Sequence, residues 1–294
     1  MNKATLITGA TGGIGKQTAI SLAKLNYSIA ITGRNKENGE KAVEEIQSLS
    51  GNNKIELLIG DLSTFEGIKS IAEQFQNKFE KLDILINNAG SAAQKFEKTK
   101  NGLELNFATN VIAPFFLTNL LLPNLQKSDN PRVICLTGGD LPSKLEIDNL
   151  QCEKEFKGLA SYSQSKIAMM TLFYEYSQQM KNEKITINIC YPGQASTNMT
   201  QSVTKEMLPK LMRPIFPIFK LLIKPDNGKS AEKASKSSVF LATNENLGNV
   251  TGKYYNKKCK ETEMPKCVID INNRKFVWYY VNKVLTDNKL INKW

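Results

Sequence analysis

Tyr162 and Lys166 stand four residues apart in Tyr162-Ser163-Gln164-Ser165-Lys166, a spacing that puts a phenol and an ammonium group on one face of a helix. Such a pair can move a proton. The 294-residue chain contains no histidine, so no Ser/His/Asp triad, zinc protease centre or His-ligated haem can be assembled from it. Proton transfer near neutral pH then falls to a carboxylate, Cys, Tyr or Lys whose pKa its surroundings have moved. A lysine cation about 4 Å from a tyrosine, in an effective dielectric near 20, favours the phenolate by roughly 4 kcal/mol, or about three pKa units. That would bring Tyr162 into the working range. Spacing alone does not select the pair: nine tyrosines in a lysine-rich chain give roughly one such spacing by chance, and Tyr254/Lys258 and Tyr279/Lys283 share it.

A second constellation is Thr8-Gly9-Ala10-Thr11-Gly12-Gly13-Ile14-Gly15, with Gly9, Gly13 and Gly15 in the pattern GxxxGxG. Glycines there let the backbone turn tightly and approach a pyrophosphate, while a following helix offers its free N–H groups to the anion. The loop reads as dinucleotide-binding. About 20 residues beyond such a loop an NAD site carries an acidic residue, yet this chain reads Thr32-Gly33-Arg34-Asn35-Lys36. Arg34 is one of only four arginines, with Arg132, Arg213 and Arg274, and a guanidinium suits a 2'-phosphate through two parallel hydrogen bonds. NADP(H) is the expected cofactor.

The elements that must hold these groups follow from hydrophobic patterning. β-Branched and aliphatic runs occur at Ala4 to Thr8, Ser28 to Thr32, Lys54 to Gly60, Leu82 to Asn87, Arg132 to Thr137, Ile185 to Tyr191 and, more weakly, Val250 to Tyr255. Between them lie segments long enough for crossover helices. The expected fold is α/β, a single doubly wound parallel sheet of Rossmann type with helices on both faces. With no repeat or linker, residues 1–294 read as a single domain with an insertion at about 200–225 and a helical tail at about 274–294. In that order Tyr162 opens the helix between strands five and six, at the sheet edge where open α/β folds bind ligands.

With these pieces in place the chain resembles the short-chain dehydrogenase/reductase family. The likeness is carried by the glycine loop, Asp61-Leu62, Asn87-Asn88-Ala89-Gly90, Asn110, Tyr162 with Lys166, and Pro192-Gly193 with Thr197. Gly15-Lys16-Gln17-Thr18-Ala19, Pro114-Phe115-Phe116-Leu117-Thr118 and Ser163-Gln164-Ser165-Lys166 are similar to its retinol-dehydrogenase-like branch. The resemblance implies hydride transfer with Tyr162 as general acid/base, Lys166 also holding the nicotinamide ribose, and Asn110 anchoring a proton-relaying water. It places Gly9, Thr11, Gly13, Ile14, Gly15, Arg34, Asp61, Leu62, Asn88, Ala89, Gly90, Tyr162, Lys166, Pro192, Gly193 and Thr197 around the cofactor. The chain departs from the family at the serine that polarises the substrate oxygen. Aligned from strand five, that position is Gly138; counted back from Tyr162, it is Thr137, the only hydroxyl at the strand end of Cys135-Leu136-Thr137-Gly138-Gly139. A non-catalytic NADPH-binding protein of the same fold is the competing reading.

The apolar, proline-interrupted segment from Met207 to Phe219 is a substrate lid in the family, which favours a small lipophilic carbonyl or alcohol such as a retinoid, steroid or fatty aldehyde; packing of a helix against the core is the equal alternative. The formal charge of +11 comes from lysines scattered along the chain, the pattern of a solvated surface rather than of nucleic-acid binding. Five cysteines without a CxxC pair suggest reduced thiols and no metal. The first apolar run follows Met1-Asn2-Lys3 directly, so no signal segment is expected and the location is read as cytoplasmic. Membrane-surface contact through the lid or the aromatic run Phe276 to Tyr280 stays open without being the expectation, and a monomer or homodimer fits equally.

Overall fold

In the computed structural model, residues 3–138, 141–208, 210–217 and 225–291 are described. The seven expected strands are present as β1 (Ala4–Ile7), β2 (Ser28–Gly33), β3 (Ile55–Ile59), β4 (Ile84–Asn87), β5 (Arg132–Leu136), β6 (Thr186–Cys190) and the two-residue β7 (Tyr254–Tyr255). An eighth strand, β8 (Glu261–Thr262), was not signalled by the sequence, being short and fully exposed. The sheet order is β3-β2-β1-β4-β5-β6-β7-β8, all parallel except for β7 against β8. The order reverses between β1 and β4, which opens a crevice at the carboxyl ends of the strands.

Helices cover both faces because the strands are apolar on both sides. Alternate residues decide the face: Leu6, Leu85, Val133, Cys135 and Ile189 join one buried cluster with α3 (Phe65–Lys78), α5 (Ala113–Leu120) and α7 (Leu159–Gln179). Ile7, Ile31, Ile86, Ile134 and Leu136 join the other with α1 (Gly13–Lys24), α2 (Lys36–Ser50) and α9 (Lys229–Thr243). The remaining helical pieces are α4 (Leu105–Phe107), a π-turn (Ala108–Ile112) that joins it to α5, α6 (Leu122–Gln126), α8 (Asn198–Gln201), α10 (Lys266–Ile269) and α11 (Ile271–Asp287). The expected tail is thus largely α11, which begins after an Asp270 cap that accepts from Asn272 N and Asn273 N. Of the expected lid, residues 209 and 218–224 lie outside the described residues. Before and between them run 3-10 turns at Lys205–Met207 and Lys210–Ile215.

Candidate active site at the carboxyl edge of the sheet

The glycine loop turns from β1 into α1 and forms one wall of a groove of about 380 Å³, which also meets Arg34, Asp61, Leu62, Asn88, Ala89, Gly90 and Thr197. Loop and neighbours are tied together by bonds between side chains and backbone. The Thr8 hydroxyl accepts from Asn88 N and Ala89 N at 3.0 Å each, and Asn88 Nδ2 donates to the carbonyls of Thr8 and Gly9 at 2.8 and 3.1 Å. Side chains are excluded where the groove is tightest. A Cβ on Gly13, whose φ is +55°, would lie 2.9 Å from Thr197 Cγ2, and one on Gly15 would lie 2.5 Å from Asn88 Nδ2. The Gly12 N-cap of α1 makes no side-chain capping bond and the first turn holds no acid, so this positive helix end faces the groove uncompensated. These features fit a pyrophosphate. Arg34 lines the groove, is exposed and is bonded to no other described residue.

Gly90 and Ser91 also line the groove. Against Gly90 lie Asn110 and Lys166: a Cβ on Gly90 would stand 3.1 Å from Asn110 Oδ1 and 3.3 Å from Lys166 Nζ. Lys166 is 4% exposed and Tyr162 7%. Lys166 Nζ donates to the Leu136 carbonyl at 3.1 Å and is 6.0 Å from the centroid of the Tyr162 ring. The expected lowering of the Tyr162 pKa does not occur within the chain. Burial, followed by the neighbouring Tyr191, pushes the phenol up, and burial pushes Lys166 down to about 8, because both sit where water cannot solvate a charge and the cation is turned to a carbonyl. Tyr162 therefore holds its proton firmly.

Asn110 lies in the π-turn, with both of its amide protons and its side-chain oxygen in hydrogen bonds. Oδ1 accepts from Ser91 N at 2.8 Å, while Nδ2 donates to Ser91 O at 2.9 Å and to Ser165 Oγ at 2.8 Å. Ser165 in turn donates to the Tyr162 carbonyl at 2.7 Å. Sequence reasoning passed over both serines, although Ser165, three residues after Tyr162, was within reach of a helical-face argument.

The two counts for the missing serine are separated by geometry. A Cβ on Gly138 would stand 2.8 Å from Tyr162 Oη, so Gly138 is the strand-end residue that faces the phenol, and it brings no hydroxyl. Thr137 continues the ladder through its N–H to the Cys190 carbonyl at 2.9 Å. Its Oγ1 is buried without a hydrogen-bond partner. Gly193, with φ +89°, sits against the Lys257 stem, and neither it nor Pro192 lines the groove. At the start of α7 the Met207 backbone crosses Gly158, where a Cβ would meet the Met207 carbonyl at 2.6 Å. Met207, the first residue of the segment expected to be a lid, therefore packs on the start of the helix that carries Tyr162.

Comparison with known proteins agrees with this geometry. A family model described as short chain dehydrogenase matches residues 3–208. Retinol dehydrogenase 13 of Homo sapiens is 32% identical over 266 residues, covering 90% of this chain and 79% of that protein. Among solved structures, an uncharacterised protein of Mycobacterium paratuberculosis superposes with a TM-score of 0.73 at 19% identity, covering 97% of this chain and 93% of that one. A short chain dehydrogenase of Shigella flexneri complexed with NADP superposes with a TM-score of 0.62 at 21% identity, covering 88% and 98%.

Proposed function

The chain belongs to the short-chain dehydrogenase family, in its retinol-dehydrogenase-like branch, and from that premise we propose that it transfers hydride between NADP(H) and a lipophilic carbonyl/alcohol pair. The observation that carries the reading is the buried pair Tyr162 and Lys166, with Lys166 Nζ against Gly90 of a glycine-walled groove and the Tyr162 hydroxyl against Gly138. Gly9, Thr11, Gly13, Ile14 and Gly15 would hold the pyrophosphate, Arg34 the 2'-phosphate, Asp61 and Leu62 the adenine end, and Asn88, Ala89, Gly90, Lys166 and Thr197 the nicotinamide half; Pro192 and Gly193, which do not line the groove, are assigned to that half by the family resemblance alone. Arg34 without a partner and the NADP in the Shigella flexneri relative support NADP(H) over NAD(H). When bound, the cofactor supplies or accepts the hydride.

The chain's own residues handle the proton. In the reducing direction Tyr162 donates to the substrate oxygen, a task suited to a phenol that burial keeps protonated. Lys166, with its ammonium between the Leu136 carbonyl and Gly90, stabilises the phenolate that remains. Both Asn110 amide protons are taken by Ser91 O and Ser165 Oγ, so its side chain has no donor left for a relay, and a water-borne proton path would use its backbone carbonyl in the π-turn. Thr137 is the proposed donor to the substrate oxygen. Leaving a buried hydroxyl unpaired costs about 1–3 kcal/mol, a cost that is recovered when substrate supplies the acceptor. In the same reading the chain is one domain, 200–225 covers the substrate, and the protein acts in the cytoplasm. Among the described residues no helix is long and apolar enough to cross a membrane.

NADPH consumption against retinal, steroid ketones, fatty aldehydes and small quinones tests the proposal. The wild type should turn over at least one lipophilic carbonyl, and Tyr162→Phe should lose roughly 100- to 10,000-fold. NADPH binding without any turnover would favour the second reading, a non-catalytic NADPH-binding protein, for which Gly138 opposite Tyr162 is the specific support. Absence of NADPH binding would remove both.

A further inference from the structure

The C-terminal helix α11 lies beyond the part of the chain matched by the family model, yet it reaches the π-turn through an unbroken polar path. Tyr280, in the middle of α11, accepts a hydrogen bond from Gln151 Nε2 at 2.7 Å. Gln151 Oε1 accepts from the Glu104 backbone N–H at 3.0 Å. Glu104 is 1% exposed, and its carboxylate caps α4 by accepting from Asn106 N at 2.9 Å and Phe107 N at 2.7 Å. Three residues after Phe107 comes Asn110. The Tyr280 ring also stands edge-on to Phe107, with centroids 5.8 Å apart.

Other contacts anchor α11 independently of this path. Arg274 binds Glu175 Oε2 on α7 through Nε at 2.7 Å and Nη2 at 2.6 Å. Trp278 packs edge-on against Phe115 at 5.4 Å and tilted against Tyr176 at 5.6 Å. The helix is thus docked on both α5 and α7, and Tyr280 is free to serve as a fixed reference point for something else.

A π-turn is held less well by its own hydrogen bonds than an α-helix and depends on its surroundings for register. On one side this turn is held by the loop after β4, through Ser91 N to Asn110 Oδ1 and Ala93 N to Asn106 Oδ1, both at 2.8 Å. On the opposite side the Glu104 cap is the restraint, and Gln151 steadies it against Tyr280. Among the described residues the Glu104 carboxylate has no ion-pair partner. Burial pushes its pKa up against the two N–H bonds that pull it down, so the cap relies on geometry rather than ion pairing.

We propose that Tyr280 is a positioning residue for the candidate active site: through Gln151 and Glu104 it fixes the register of the π-turn, and with it the placement of Asn110 against Ser91, Ser165 and Lys166. Its effect on rate rests on the function proposed above; its effect on the π-turn does not.

Tyr280→Phe keeps the ring and removes the acceptor, Gln151→Met breaks the path without touching α11, and Tyr279→Phe, at a residue 64% exposed, is the control. Amide hydrogen exchange over residues 104–112 is measured together with kcat and the KM for NADPH. Losing one neutral hydrogen bond should speed exchange in that segment by about 3- to 10-fold in both path variants, lower kcat by a similar factor and leave the KM for NADPH unchanged. Tyr279→Phe should match the wild type. Wild-type exchange over 104–112 in folded Tyr280→Phe and Gln151→Met would overturn the proposal, as would faster exchange with kcat unaltered in an active enzyme. A wild type inactive on every carbonyl would count against the proposed function alone, because the exchange measurement still decides the positioning role.

Discussion

At the scale of single residues, the proposed chemistry turns on Tyr162 together with Gly138, Thr137 and Lys166. Gly138 faces the Tyr162 hydroxyl without a side chain, and Thr137 carries a buried hydroxyl without a partner. Thr137→Val should therefore leave the melting temperature unchanged or raise it, since it deletes an unpaired polar group, while lowering kcat about 100-fold if Thr137 is the oxyanion donor. Thermal melts and steady-state rates on the same preparation check both halves. If Thr137 is not the donor, Gly138→Ser should raise kcat about tenfold or more by placing a hydroxyl beside Tyr162, whereas Gly138→Ala, which crowds Tyr162 equally without donating, should not. Lys166 gives the pH dependence. The folded chain releases its proton near pH 8 and an unfolded chain only near 10.4, so the unfolded chain holds more protons in between and the contribution of Lys166 to stability grows with pH across that window. Carbonyl reduction needs the protonated pair, so its kcat/KM should be level below about pH 8 and fall above it. Tyr162, Lys166 and the glycines were legible in the sequence because their types and spacing are the chemistry. The direction of the Tyr162 shift was not, because it depends on burial and on where the lysine points.

At the scale of elements, the strands were legible from alternating apolar residues, whereas short pieces were not. β8 is two exposed residues, and α4 with its π-turn has a buried polar run, Asn106, Thr109 and Asn110, that no helical period would flag. Their stability is tertiary. The same holds for α11, whose tie to α7 is the Arg274–Glu175 pair with side chains only 17% and 11% exposed. Removing one partner leaves a desolvated charge, so Arg274→Ala should destabilise the protein by about 3–5 kcal/mol. Arg274→Met combined with Glu175→Gln should recover most of that, as denaturant titration of the single and double variants would reveal. An equal loss in both would mean that packing, not charge, docks the helix.

At the scale of the whole molecule, the eight-stranded sheet brings three distant stretches to one edge: the loop after β1, the loop after β4 and the start of α7. A ligand spanning them should stabilise the entire fold, by about 2.7 kcal/mol at a hundredfold excess over its dissociation constant. NADPH should therefore raise the melting temperature more than NADH at equal concentration, and Arg34→Ala should abolish the difference. Equal shifts from the two cofactors in the wild type would count against a 2'-phosphate site. The lysines responsible for most of the net charge of +11 have no such localised effect.

By itself the sequence determined the doubly wound sheet, and it marked the glycine loop and Tyr162 with Lys166 as the candidate site, because hydrophobic period, glycine spacing and residue type act locally along the chain. Only the tertiary structure decided which strand-end residue faces Tyr162, that Lys166 turns to the Leu136 carbonyl, and that α11 reaches the π-turn through Gln151 and Glu104. Those depend on distances between segments far apart in the chain and on the exclusion of water between them, which no local pattern encodes.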